Sequence, residues 1–192
     1  MDPKDAFNLA VQLFESVIAP KLRQWGISVT PTMSRATLTE KEWTIESHNT
    51  KTTILITRSL SGIRIYGGDA GKGTARTWLY PKERAVKAIC RKLIKAAVGA
   101  IVSICRRTAP PEFTKLYANH WFVEEKIIWY AKNSLTTSPS EIALTLVIEP
   151  TRLHWKWIVE IDRRNKFTVQ GDDNPIEAHH RILKTGISLA TL

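Results

Sequence analysis

Cysteine is scarce in this chain of 192 residues: Cys90 and Cys105 are the only two. Two thiols exclude a disulfide framework. If both lie on one helix, fifteen residues of rise separate them by roughly 22 Å. A disulfide needs Cα atoms within about 7 Å. Two free thiols fit a reducing compartment. Long apolar runs are missing as well. The longest uncharged apolar stretch, Ala96–Cys105, is about half of what a membrane-spanning helix requires. The first residues, Met1-Asp2-Pro3-Lys4-Asp5, lack the basic-then-apolar order of a signal peptide. The expectation is a cytoplasmic protein with no membrane partner. No CxxC, HExxH or phosphate-loop pattern occurs. Gly71-Lys72 resembles the last of these, but Gly67 stands one residue too close and Gly73 replaces the required Ser or Thr.

Acid is the next absence, and it is local. Residues 76–107 contain nine Lys or Arg (Arg76, Lys82, Arg84, Lys87, Arg91, Lys92, Lys95, Arg106, Arg107) and a single acid, Glu83. The flanking segments are close to neutral, so this stretch holds nearly all of the net charge of +10. Charge gathered in one segment marks a surface that prefers a polyanion.

On a helical wheel, Arg84, Lys87, Arg91, Lys95 and Arg106 share one arc, and Val86, Cys90, Leu93, Ala97, Ala100 and Ile104 lie opposite. Lys and Arg also serve as helix formers on a solvated face. What argues for an anion is that one acid cannot neutralise the helix through i, i+4 pairs. Beyond Lys95 the basic arc gives way to Val98, Gly99 and Val102, so that end should be covered on all sides. Gly99, unfavourable in a helix interior, points to close approach by another element. The expected nucleic-acid-binding residues are therefore Lys72, Arg76, Lys82, Arg84, Lys87, Arg91, Lys92 and Lys95. Trp78 and Tyr80 stand between loop and helix, where aromatics either pack or stack on unpaired bases.

The remaining pattern is mixed. Asp5 to Trp25 reads as a helix that Pro20 should kink or end early. Residues 26–41 read as an irregular connection. Glu42–Ser47, Thr52–Arg58 and Gly62–Tyr66 read as an antiparallel meander, and residues 67–74 as a flexible Gly-rich loop. The span 111–133 reads as helical. Glu141–Glu149, Leu153–Ile161 and Lys166–Gln170 read as a second meander. Asn174-Pro175-Ile176-Glu177 has the form of a helix start, with Gly186 as its stop. Residues 187–192 read as a last short strand or a tail.

The fold class expected is α+β: two antiparallel three-stranded meanders packed with about four to five helices. The two halves, 1–109 and 110–192, repeat an αβββα order, and both meanders end in Gly-Asp (Gly68-Asp69, Gly171-Asp172). A degenerate duplication is one reading; the other is that Gly-Asp is a common turn pair. The two halves together also read as one continuous domain.

The order helix, three strands, helix, with bases at the second helix, is similar to the layout of double-stranded-RNA-binding domains. That resemblance covers residues 1–107 in topology alone. It implies that Lys82, Arg84 and Lys87 touch phosphates across a groove. Gly71 and Gly73 stand farther from Lys82 than the family layout has them, and the second half lacks a basic cluster.

The functional expectation is a non-enzymatic nucleic-acid-binding protein, RNA before DNA, acting as a subunit of a ribonucleoprotein complex. Its partners would be RNA or single-stranded DNA, together with other protein subunits. No cofactor and no metal are expected. One alternative is a metal-dependent nucleic-acid-processing enzyme using Asp172, Asp173 and His180, in a titratable cluster with Glu177 and His179. Another is a protein-interaction subunit docking its basic helix on an acidic partner.

Overall fold

The computed structural model describes residues 1–68, 70–75, 82–111, 113–119, 125–131 and 141–190. The chain is α+β, with two antiparallel sheets and three helical bodies in those residues.

Helix α1 (Pro3–Leu13) starts where the Asp2 carboxylate accepts from the Asp5 N–H at 2.9 Å, with Pro3 in the first turn, where its missing N–H costs nothing. One wide π turn (Phe14–Ile18) joins α1 to α2 (Ala19–Gln24). Pro20 neither ends nor breaks this helix. The wide turn just before it absorbs the missing donor and the bulk of the ring. Gly26, at φ +77°, ends α2.

Five strands follow: β1 (Ser28–Ala36), β2 (Glu40–Ser47), β3 (Thr50–Ser59), β4 (Gly62–Gly67) and β5 (Ala70–Ala75), paired in that order. The three expected strands are β2, β3 and β4. Residues 28–36 are a strand and not an irregular connection. Their Thr, Ser and Pro content suits an edge whose outer face is wet. The Gly-rich segment 70–75 is likewise a strand, hydrogen-bonded to β4, where it was expected to be a flexible loop. His48 and Asn49 both have positive φ, 53° and 56°, and close β2 onto β3.

Helix α3 (Lys82–Thr108) runs on from there to a second sheet. This sheet consists of β6 (Phe113–Asn119), β7 (Glu125–Ala131), β8 (Glu141–Ile148), β9 (Trp155–Ile161) and β10 (Asn165–Gly171), with spatial order β10-β9-β8-β7-β6. Helix α4 (Pro175–Ala190) completes the described chain. The expected helix over 111–133 is instead β6 and β7. In β7, Ile127 and Trp129 point into the core two residues apart, the strand period. Apolar residues two apart and four apart coexist in that span, so its sequence also fits a helix. Each sheet therefore has five strands where three were expected, and α3 is shared by both. The three-strand layout of double-stranded-RNA-binding domains is not the layout observed. Gly186 does not stop α4, which continues to Ala190 and takes in most of the segment expected as a strand or tail.

A single apolar cluster joins the two halves. The first sheet contributes Trp43, Ile45, Ile54, Ile56, Ile63 and Ile65, and the second contributes Ile127, Trp129, Leu144, Leu146, Trp155, Trp157 and Val159. Between them every residue of α3 from Ala96 to Cys105 is buried, as the all-round apolar pattern there predicts. Gly67 and Gly68 make the close approach that Gly99 signals. A Cβ added at Gly67 would lie 1.9 Å from the Ala96 carbonyl oxygen, and one at Gly68 2.6 Å from that of Gly99. No described helix is long and apolar enough to cross a membrane.

Candidate nucleic-acid interface

The N-terminal half of α3 lies on the first sheet through Ala85, Ile89 and Leu93, all fully buried. Their spacing of four leaves the opposite face outward. On it Arg84, Lys87 and Arg91 are exposed and Lys95 is half-buried. Lys82, also exposed, stands in the first turn well round the helix from Arg84, and half-buried Lys92 lies at the edge of the face. The Lys and Arg stems cover apolar helix surface while the charges reach water. Lys72 belongs to β5, whose backbone is fixed by pairing with β4. Arg76, Trp78 and Tyr80 lie outside the described residues.

Arg84, Lys87 and Arg91 share a lack of counter-charge with a few scattered exposed bases such as Arg64 and Arg164, but among the described residues they alone form a row on one helix face, while many other bases are paired. Lys41 pairs with Glu15, Lys51 with Glu46, Lys126 and Lys166 with Glu160, Arg163 with Glu141, and Arg181 with Asp173. Among the described residues no carboxylate is in ion-pair reach of Lys82, Arg84, Lys87 or Arg91. Arg107, at the other end of α3, is structural: its guanidinium donates to the Lys51 carbonyl at 2.8 Å.

Two tryptophans of β9 belong to the core. Trp155 and Trp157 are fully buried, and their indole N–H groups donate at 2.8 Å to the carbonyls of Asp173 and Pro175. Neither can stack on a base.

Asp172, Asp173 and His180 each have a separate partner. Asp172 meets His154 at 3.2 Å, Asp173 meets Arg181 at 2.9 Å, and the His180 Nε2 meets the Thr108 hydroxyl at 3.0 Å. Among the described residues no three His, Cys, Asp or Glu side chains are grouped to hold a metal ion. Asn174 caps α4 as expected, its side-chain oxygen accepting from the N–H groups of Ile176 and Glu177.

The fold assembles one cluster that sequence spacing does not reveal. His48, in the β2–β3 turn, stacks edge-on to His180 of α4 with ring centroids 5.4 Å apart. Beside it His179 is fully buried between Trp129 and Trp157. The Trp129 indole can only donate, so the His179 Nε2 at 3.1 Å must accept, and the ring is neutral. Burial first, and then His180, hold His179 down to about pKa 3. Burial, then His48 and Lys184, hold His180 down to about 4.

The sign follows from linkage. The unfolded chain takes up protons near pH 6.5 that the folded chain refuses until far lower pH. Stability is therefore level above about pH 6.5 and falls as the pH drops below it. For buried His179 the slope approaches about 1.4 kcal/mol per pH unit. Urea titrations between pH 7 and 4 should show the unfolding midpoint falling steadily, and His179→Gln should flatten that fall. An unchanged slope in the variant would remove His179 as its source.

No protein-family profile matches this chain, and no curated protein or solved structure does either.

Proposed function

We propose that this chain is a non-enzymatic nucleic-acid-binding protein that holds RNA phosphates through the exposed half of α3, as a subunit of a nucleoprotein assembly. The observation that carries the reading is the row Arg84, Lys87 and Arg91: exposed, on one helix face, and without carboxylate partners among the described residues, with Lys82 exposed at the start of the same helix. Like charges on adjacent turns repel until an anion neutralises them. A polyanion does so with release of its own counterions.

The described part of this face offers positive charge with no exposed aromatic ring. That chemistry positions a phosphate backbone and carries little base preference. Asp172, Asp173 and His180 have separate partners, which favours this reading over the enzymatic alternative. Docking on an acidic protein would use the same bases, and it is separated by experiment. Purified protein carrying nucleic acid, seen as a raised 260 to 280 nm absorbance ratio that nuclease and high salt remove, is the expected result. A nucleic-acid-free protein that binds neither RNA nor single-stranded DNA at low salt would overturn the reading.

A further inference from the structure

Each sheet ends in two edge strands, and an unpaired edge is a template for another strand. Three of the four edges are blunted. β1 contains Pro31, and its register with β2 shifts between Pro31 and Ala36. β5 shifts against β4 between Ile65 and Gly67, and β6 shifts against β7 between Lys115 and Tyr117. β10 has neither proline nor shift. Its seven residues pair with β9 without interruption, from Asn165↔Ile161 to Gly171↔Trp155. No residue of β10 is buried, and Phe167 is 43% exposed. Among the described residues no strand lies along its other side.

We infer that β10 pairs antiparallel with β10 of a second copy of this chain, on a two-fold axis through Thr168. The occupant follows from the strand's own complementarity. Side chains that meet across a pair must share a sheet face, so the axis must pass through a residue and not between two. Centring on Thr168 uses all seven residues. It sets Phe167 opposite Val169 of the second copy and Val169 opposite its Phe167, two apolar pairs on the core side of the sheet. Lys166 then faces Gln170, so no like charges oppose each other.

The strand's two ends carry opposite charge. Arg163 and Arg164 precede it, and Asp172 and Asp173 follow it. In the same register Arg164, the turn residue just before the strand, comes nearest Asp172 of the second copy, while Arg163 and Asp173 are held by Glu141 and Arg181 of their own chain. A parallel copy would instead set like charges together at both ends. A strand of this length spans roughly 23 Å, a small contact, so the dimer is expected to be weak and concentration-dependent. The inference is independent of the anion-binding reading of α3.

Cross-linking tests the axis directly. In a Cys90→Ser background, Thr168→Cys places two thiols opposite each other, with Cα atoms about 5 Å apart, within disulfide range. A thiol oxidant should yield a covalent dimer from this variant. It should yield none from Lys166→Cys, whose counterpart lies farther along the strand. No dimer from Thr168→Cys, or equal dimer from both, would overturn the inference.

A charge pair supplies the second test, read by sedimentation of the 21.8 kDa chain. Phe167→Lys with Val169→Lys should hold the protein monomeric where the native chain associates. Phe167→Glu with Val169→Lys, equally polar, should restore the dimer. A native chain that stays monomeric at every concentration, or a Lys/Lys variant that still associates, would also overturn it.

Discussion

Replacing Arg84, Lys87 and Arg91 together with Glu should reduce affinity for RNA by about 100-fold or more at low salt, with the fold intact. Three favourable phosphate contacts become three repulsive ones. Each contact is also a released counterion, so the slope of log affinity against log salt should flatten by roughly 2 to 3 units. The three side chains are exposed, so the melting temperature should hold or rise as repulsion along α3 is relieved. Lys41→Glu and Lys126→Glu are the matched controls, because both lysines already have carboxylate partners. Equal losses from the controls would mean that net charge, and not this face, governs binding. Unchanged affinity in the triple variant would remove α3 from the interface.

Gly67→Ala should destabilise the protein by about 3–5 kcal/mol, in the range of severe overpacking. The added methyl would lie 1.9 Å from the Ala96 carbonyl oxygen and 2.4 Å from its carbon. Those atoms belong to the backbone of a buried helix and cannot turn aside as a side chain would. Either β4 or α3 must move, and α3 is packed by both sheets. For a chain of this size each kcal/mol lowers the melting temperature by about 2–4 °C, so a fall of roughly 10 °C is expected in calorimetry. A fall of only a degree or two would mean that β4 and α3 do not approach this closely.

Much of this architecture was legible in the residues. β2, β3, β4, β8, β9 and β10 alternate with one apolar face, and the Asn174-Pro175 cap announces α4. The basic face of α3 is set by local spacing alone, because a wheel needs no knowledge of what packs beneath. Three of the four strands that escaped notice share a physical cause. β1, β5 and β6 are edges and do not need the strict alternation that two flanking strands impose. β7 does alternate, but its apolar residues also fit helical spacing. The histidine cluster was illegible for a different reason: His48, Thr108, Trp129 and the adjacent pair His179 and His180 come from four places in the chain.

The amino-acid sequence by itself determined where the charge is, that Ala96–Cys105 must be buried, and that no disulfide joins Cys90 to Cys105. Each rests on composition or on the fixed pitch of one helix. Only the tertiary structure decided that α3 serves both sheets, that β10 is the edge left regular, and that His179 is held neutral beneath two indoles. Those depend on contacts between distant segments, where shape and pairing select the partner and local pattern does not.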